Sequence, residues 1–292
     1  MSTQKICLGV ETCPNGLKIA LVNLKHRKII KVDAVPTSGN PVNDTSVYAS
    51  AIGSWVRSKI IPKIELVAIA VPASSCVTRA ISIPKETENL GSYIGWEFAS
   101  AINTKPGDYK LDTFFFPNTK KAERAVISAY RKELVNSFCS SDMEKSGFMP
   151  SSIMTELCCL FNLLEYTEGL GSAVKCVLKI DEKFAIAFWA NEYGPLAFRI
   201  LPGDCISEES VLGMLESGFG DFPKAKRVVK FCGELTEDSH FAMELMASAK
   251  KAKNAMNISI WNSVNKFSLE KSGEFSKLPQ CLVAVGATLN CL

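Results

Sequence analysis

A carboxylate and an amine flank a tight turn near the start of the chain. Glu11 ends one strand-like run, Lys18 begins the next, and the turn between them reads Cys13-Pro14 followed by Asn-Gly. A hairpin that holds phosphate groups needs a carboxylate to reach magnesium, directly or through water. It also needs small residues, so that backbone N–H groups can approach the phosphate oxygens. Glu11 and Lys18 fit this chemistry, whereas Pro14 does not, because proline has no backbone N–H.

The last two residues of the turn predict a structural role instead. Asn15 followed by Gly16 is typical of a type I′ turn, in which both residues take positive φ angles. A lysine beside a turn is more often solvated than bound to a ligand, so the simplest expectation for Lys18 is an exposed charge. The hairpin therefore predicts either a modified phosphate loop or an ordinary turn.

The charge balance of the 292-residue chain argues against a nucleic-acid partner. Lys and Arg together number 33, Asp and Glu number 30, and the formal net charge is +3, so the excess of basic residues that favours nucleic acid is missing. Basic residues do gather late in the chain. They are predicted to form solvated helix faces or, alternatively, to contact an acidic partner or an anionic membrane surface. These residues are Lys224, Lys226, Arg227, Lys230, Lys250, Lys251 and Lys253.

Cysteine usage and the start of the chain indicate a reducing cytoplasm. The 11 cysteines are irregularly spaced without a Cys-X-X-Cys motif, and several lie in apolar runs, where cysteine behaves as a small buried hydrophobe. The first residues lack the basic start and the apolar stretch of a signal peptide. Two histidines leave little from which to build a Cys/His metal site, and the apolar runs are too short to span a bilayer.

The predicted elements occur in the same order twice, which indicates two similar lobes. Continuous or alternating apolar residues predict three strands, a helix and a further strand in each half. The strands of the first half are Ile6–Glu11, Leu17–Leu24, Lys28–Val35 and Ile64–Val71. Those of the second half are Lys175–Ile180, Phe184–Ala190, Pro195–Leu201 and Arg227–Cys232, with a helix over Ser207–Ser217.

Additional elements are predicted between the two halves. Strands are expected at Val77–Ile83, Asp112–Phe116 and Ala125–Ala129, and helices at Glu86–Ile102, Arg131–Ser146 and Thr155–Tyr166. We therefore expect residues 1–170 to form a first lobe with a subdomain inserted at about 75–150. Residues 171–292 are expected to form a second lobe.

The order and spacing of several stretches resemble the PilM family of type IV pilus assembly proteins, whose relatives include the cytoplasmic domains of type II secretion platform proteins. The stretches are residues 8–24, 65–84, 91–117, 123–156 and 198–204. The resemblance implies an α/β fold of the actin-like (ribonuclease H-like) kind. Such a fold has duplicated ββββα-type lobes and an α+β subdomain inserted in the first lobe. The C-terminal third matches less of the family pattern, which predicts a shortened second lobe.

The resemblance also implies a nucleotide site, and the residues at that site depart from what phosphates need. Glu11 stands where the family has Asp, and Cys13 and Pro14 stand where it has glycine and small residues. In the second hairpin Asp181 and Glu182 would face a polyphosphate, and like charges about 4 Å apart cost roughly 1 kcal/mol even in water. Where the family has a turn with two glycines, this chain has Cys232 followed by the single glycine Gly233. The candidate residues of this degenerate nucleotide site are Glu11, Asn15, Gly16, Lys18, Asp181 and Gly233.

These departures predict a scaffold that does not hydrolyse ATP, with no catalytic residue, no metal and no cofactor; binding of ATP with magnesium is the alternative. By resemblance, the partner would be the cytoplasmic N-terminal tail of an inner-membrane assembly protein. That tail would dock between the first lobe and its inserted subdomain. The secretion or pilus motor ATPase is a second candidate partner, and self-association is a further one. We expect the protein in the cytoplasm at the inner face of the inner membrane, peripheral to it through this partner.

Two other functions remain open from the sequence. One is a nucleotide-dependent ATPase or kinase of the same superfamily, which would need glycine-rich turns after acidic strands. The other is an actin-like filament protein. The inserted subdomain contains aromatic residues that could form pockets for a tail, although most are expected in the core. They are Tyr93, Trp96, Phe98, Phe114 and Phe116.

Overall fold

The structure, a computed structural model, describes most of the chain. The described residues are 5–41, 44–59, 61–84, 86–102, 106–115, 122–192, 194–223, 225–252, 254–262, 264–271 and 275–292. Phe116, Lys224 and Lys253, which the sequence analysis singled out, lie outside these ranges. Within them, no helix combines the length and the apolar composition needed to cross a membrane.

The first sheet has six strands in the order β14-β3-β2-β1-β4-β8. The strands are β1 (Ile6–Cys13), β2 (Gly16–Asn23), β3 (Lys28–Pro36), β4 (Leu66–Val71), β8 (Ser152–Thr155) and β14 (Ser268–Leu269). β1 to β3 form an antiparallel meander, and β4 runs parallel to β1. Because successive side chains of a strand point to opposite faces of the sheet, the two faces pack against different parts of the protein. Ile6, Leu8 and Val10 face helix α1 (Thr45–Arg57), whereas Cys7 lies on the opposite face, in the core to which the C-terminal residues also contribute.

The second sheet has five strands in the order β11-β10-β9-β12-β13 and repeats this plan. The strands are β9 (Lys175–Ile180), β10 (Phe184–Asn191), β11 (Gly194–Pro202), β12 (Val228–Cys232) and β13 (Asn257–Ile260). β9 to β11 form an antiparallel meander, and β12 is parallel to β9. Helices α6 (Glu208–Gly220) and α7 (Ser239–Lys251) cover its outer face. The repeated element order in the sequence is therefore confirmed by two sheets of the same topology, although α7, β13 and β14 were not predicted.

The inserted subdomain is a separate three-stranded sheet in the order β5-β7-β6. Its strands are β5 (Cys76–Pro84), β6 (Tyr109–Phe115) and β7 (Ala122–Arg131), and helix α2 (Leu90–Ala101) packs on it. Phe98 of α2 is buried in this small core, whereas Trp96 is 63% exposed. Of the five aromatic residues considered as pocket-formers, the structure thus places one in the core and one on the surface.

The predicted helix Arg131–Ser146 is wrong as a single element. The structure has two short helices, α3 (Lys132–Phe138) and α4 (Ser141–Ser146). The second helix starts where the Ser140 hydroxyl accepts a hydrogen bond from the backbone N–H of Met143, which is an N-cap. The periodic apolar residues predicted helix correctly, but this serine favours a cap over a helix interior.

Two helices lie between the sheets and join the lobes. They are α5 (Glu156–Glu168) and the C-terminal α8 (Leu282–Thr288). Both contribute to one continuous core with the inner faces of both sheets. α8 packs so closely on β1 that a Cβ at Gly9 would lie 1.9 Å from the carbonyl oxygen of Ala284. The last helix of the predicted second lobe therefore packs against the first sheet, a long-range contact that no local pattern encodes.

Candidate functional site

The first hairpin turns one residue earlier than its sequence predicts. Cys13 pairs with Gly16 in the β1–β2 ladder, so Pro14 and Asn15 are the two turn residues. The predicted type I′ turn at Asn15-Gly16 is wrong, because neither residue has a positive φ. Pro14 fixes its own φ near −65°, which suits the first position of a type I or II turn. Gly16 is needed for space instead, since a Cβ there would lie 2.6 Å from the carbonyl oxygen of Val35.

Lys18 is buried, so the expectation of a solvated side chain is wrong. Its side chain is 3% exposed, and its Nζ lies 2.8 Å from Oδ1 of Asp181 and 3.3 Å from Oε1 of Glu234. It also lies 3.6 Å from Oε1 of Glu11, its neighbour across the hairpin. The lysine of the first lobe therefore binds carboxylates that belong to the second.

Lys179 makes the reciprocal connection. Its side chain is 1% exposed, and its Nζ lies 2.7 Å from Oε1 of Glu11 and 3.1 Å from Oε2 of Glu156, both on the first lobe. It is also bonded to Oδ2 of Asp181. The aromatic ring of Phe184 adds a cation–π contact at 5.0 Å. Two lysines and four carboxylates thus form one network across the cleft, which we call the interlobe ion network: Glu11, Lys18, Glu156, Lys179, Asp181 and Glu234.

Three members of the network were not predicted as site residues from the sequence, namely Glu156, Lys179 and Glu234. A paired position could have been predicted for Lys179, because a lysine inside the apolar strand Lys175–Ile180 must be buried and therefore needs a partner for its charge. Glu156 is the first residue of α5, after the N-cap Thr155, and its sequence suggests only a favourable first-turn acid. Glu234 follows Gly233, and no local feature marks it.

The backbone donors that a phosphate would need in the second lobe are already used. The N–H of Gly233 donates to the carbonyl oxygen of Pro279, at 3.1 Å. The N–H of Glu234 donates to Oδ1 of Asp181, and the N–H of Glu182 donates to the Glu234 carboxylate. Gly233 itself has a φ of 104°, and a Cβ would lie 2.3 Å from the carbonyl oxygen of Ile180. This glycine therefore serves close backbone packing.

The network sets the ionisation of its members. Burial favours the neutral amine of both lysines, yet Asp181 and Glu11 outweigh burial and raise the pKa of Lys18 and of Lys179 above the ordinary lysine value. Burial likewise opposes the charge of Asp181, but Lys179 and Lys18 lower its pKa below that of an ordinary carboxyl. Glu156 behaves differently, because burial outweighs its attraction to Lys179 and raises its pKa to about 7.

The cleft beside the network holds a cavity of about 230 Å³. It is lined by the first hairpin turn, the end of β3, Pro72 after β4, the β9–β10 turn, Glu234 and Gln280. Small-molecule sites usually measure roughly 300–1,000 Å³. Among the described residues, no group of His, Cys, Asp and Glu is arranged to hold a metal ion. ATP with magnesium does not fit these residues, because the lining carries more carboxylates than lysines, which repel a polyphosphate, and Pro14 offers no backbone donor.

A second concave surface lies where the inserted subdomain joins the first lobe. Cys76 and Tyr109, at the starts of β5 and β6, pair with Tyr130 and Arg131 at the end of β7. This end of the small sheet and the adjoining α3 form a groove of about 330 Å³, which we call the junction groove. Its lining residues are Ser74, Ser75, Cys76, Val77, Tyr109, Arg131 and Leu134. Tyr93, Trp96 and Phe98 are not among them.

Two meander sheets of like topology, packed on shared helices with a cleft between their hairpins, define an α/β protein of the actin-like ATPase fold. Comparison with solved structures supports this class. The chain superposes on a chain of the PilM–PilN type IV pilus biogenesis complex with a TM-score of 0.74 and 16% identity, covering 97% of this chain and 98% of that one. The predicted actin-like fold is confirmed. The predicted shortening of the second lobe stays a prediction.

Two further structures share the fold at lower similarity. The cytoplasmic domain of EpsL, an inner-membrane component of the type II secretion system of Vibrio cholerae, matches with a TM-score of 0.54 and 10% identity over 97% of this chain and 95% of that one. A Bacteroides thetaiotaomicron protein with an actin-like ATPase fold and unknown function matches with a TM-score of 0.53 and 12% identity, over 90% and 93% of the two chains. No protein-family model and no curated protein matches the sequence.

Proposed function

We propose that this protein is a scaffold of a type IV pilus or type II secretion assembly platform, and that it binds the cytoplasmic tail of a membrane partner without hydrolysing ATP. The observation that carries the proposal is the interlobe ion network. It connects the two lobes directly, through Lys18 and Lys179. Side chains of the chain itself thereby bridge the cleft in which a nucleotide was expected.

The fold similarity to a chain of a pilus-assembly complex supports a role in a type IV pilus or type II secretion platform. The chain with the TM-score of 0.74 belongs to a complex of PilM with PilN, and the EpsL domain belongs to a secretion system of the inner membrane. By analogy, the partner of this protein would be a membrane protein with a short cytoplasmic tail. The cytoplasmic location at the inner membrane face and contact with a motor ATPase belong to the same proposal.

The junction groove is the docking site that we propose for this tail. β5 and β6 are the two edge strands of the inserted sheet, so an extended tail can add main-chain hydrogen bonds along an edge while its side chains enter the groove. Tyr109 and Leu134 supply apolar contacts, and the exposed Arg131 supplies a charge for an acidic residue of the tail.

A binding titration tests the proposal. The probe is a fluorescent synthetic peptide with the cytoplasmic tail sequence of the PilN-like membrane protein of the same organism, titrated with purified protein. Saturable binding that Ser75→Trp abolishes and Arg131→Glu weakens is the expected result. Lys132→Glu, the neighbouring exposed lysine outside the groove, is the matched control and should bind normally. Absence of binding, or equal weakening by Arg131→Glu and Lys132→Glu, would contradict the docking site. Phosphate release from ATP above background would contradict the absence of hydrolysis.

A further inference from the structure

The cleft between the lobes carries the wrong charge for a nucleotide. Four carboxylates and two lysines line its cavity, which leaves an excess of two negative charges. The carboxylates belong to Glu11, Asp181, Glu182 and Glu234. Lys179 and Glu156 lie behind this wall, and even with Glu156 protonated they would reduce the excess by one charge only. Low-dielectric walls strengthen the field of such an excess inside a cleft, and the field here attracts cations.

One buried oxygen in the wall lacks a partner. Glu11 is fully buried, and its Oε1 receives Lys179 and the thiol of Cys13. No donor among the described residues reaches Oε2 of the same carboxylate. A buried carboxylate oxygen without a hydrogen bond is costly, and Glu11 lines the cavity. Glu11 therefore brings one unsatisfied acceptor to the wall of the cavity.

Most of the remaining lining of the cavity is apolar, with Asn15 and Gln280 as the polar exceptions. Pro14 lies in the first hairpin turn, Pro36 ends β3 and Pro72 follows β4, and Phe184 lines the cavity from the second lobe. Glu182 is exposed and Glu234 is partly exposed, so carboxylates also stand on the solvent side. An apolar stem that ends in a cationic group matches this combination, because such side chains bury their stem and keep hydrogen bonds at the head.

From these contacts we infer that the cleft binds an organic cation with an apolar stem, of the alkylguanidinium or alkylammonium class. The ligand is either a free small cation or the basic side chain of a protein partner. The inference does not rest on the proposed scaffold role, since the junction groove is lined by different residues.

Small probes test the charge and the stem separately. n-Butylguanidinium, valerate and n-pentanol share an alkyl chain and differ in charge, and each is titrated into the protein while amide chemical shifts and thermal unfolding are recorded. Butylguanidinium should shift the amides of the two cleft turns and raise the unfolding temperature, more strongly at low salt than at high salt. Valerate and MgATP should do neither. No effect of butylguanidinium, or an equal effect of pentanol, overturns the inference.

A titration with a peptide distinguishes the two sources of the cation. An acetylated and amidated Gly-Arg-Gly peptide presents the same guanidinium on a backbone. Binding of the peptide at least as tight as that of butylguanidinium supports a partner side chain, and binding of butylguanidinium alone supports a free cation.

Charge-neutral variants show whether the site is the cleft. Glu234→Gln and Glu182→Gln each remove one carboxylate from the rim and should weaken butylguanidinium binding by about two- to fivefold, the range of a partly exposed ion pair. Glu237→Gln is the matched control, because Glu237 is exposed and lies outside the cavity lining. Equal weakening by the control, or unchanged binding in both rim variants, contradicts the assignment.

Discussion

The Nζ of Lys179 on β9 lies 2.7 Å from Oε1 of Glu11 on β1, so the first strands of the two meanders are joined through their side chains. The resemblance seen in the sequence implied a nucleotide site at these hairpins. Here an ammonium group of the protein itself neutralises the carboxylate. The lobes are therefore held together by residues of the chain.

Removing the central cation should destabilise the whole fold. Lys179→Met leaves Glu11, Glu156 and Asp181 without their shared partner in a buried site, and such a loss costs about 3–5 kcal/mol. Urea denaturation measures the change in the free energy of unfolding. Lys28→Met is the control, because Lys28 pairs with Glu270 at the surface and should change stability by no more than about 1 kcal/mol. Similar effects of the two variants would contradict a structural role for the network.

Glu156 should make stability fall as pH rises toward neutrality. Its pKa is raised from 4.5 to about 7 in the folded protein, so between these values the folded state binds more protons than the unfolded state. The free energy of unfolding then decreases with increasing pH. The full effect of this group is on the order of 3 kcal/mol. The groups that face it are Lys179, Glu11 and Asp181.

Glu156→Gln isolates this effect. The variant cannot lose a proton, so the difference in stability between wild type and variant should shift against the wild type as pH rises from 5 to 8. Urea denaturation at each pH gives the difference. Glu165→Gln on the exposed face of the same helix is the control. If the difference did not change with pH, the buried carboxyl would be ionised throughout.

Gly233 should tolerate no side chain. Its φ of 104° is strained for other residues, and a Cβ would lie 2.3 Å from the carbonyl oxygen of Ile180, so Gly233→Ala should cost more than about 2 kcal/mol. Gly213→Ala, on the exposed face of α6 with nothing within 4 Å, should instead stabilise by about 0.5–1 kcal/mol. Thermal melts of both variants test this, and a neutral Gly233→Ala would show that the loop has room.

Restoring a phosphate-type turn alone should not restore ATP binding. Pro14→Gly returns a backbone N–H to the first hairpin, but Lys18 and Lys179 still bind Glu11 and Asp181 across the cleft. Calorimetry with MgATP should therefore show no heat for this variant. Binding in the micromolar range would mean that the proline, and not the network, excludes the nucleotide.

The parts of the fold that depend on local patterns were predictable from the sequence. Apolar runs such as Ile64–Val71 predict strands, and the repeated element order predicts the two sheets. The single helix Arg131–Ser146 failed because a serine N-cap at Ser140 interrupts a continuous apolar periodicity. The packing of α8 on the first sheet could not be predicted, because the residues in contact, such as Gly9 and Ala284, are far apart in the chain.

The site was predictable only in outline. Glu11 and Lys18 flank the predicted hairpin turn, and both belong to the network, but they pair directly only because the turn lies one residue earlier than the sequence predicts. Their partners on the second lobe depend on the relative position of two sheets, which local sequence does not report. A lysine beside a turn also looks like an exposed charge until its burial is known, and this is why Lys18 was expected in solvent.

The most direct test of the account is calorimetric titration of MgATP into the purified protein, with thermal melting in parallel. The interlobe ion network predicts no binding heat and no shift of the melting temperature at millimolar ATP. A nucleotide present at 100 times its dissociation constant would stabilise the fold by about 2.7 kcal/mol, which a melt resolves. Micromolar binding with such a shift would contradict the claim that Lys18 and Lys179 replace the ligand in this cleft.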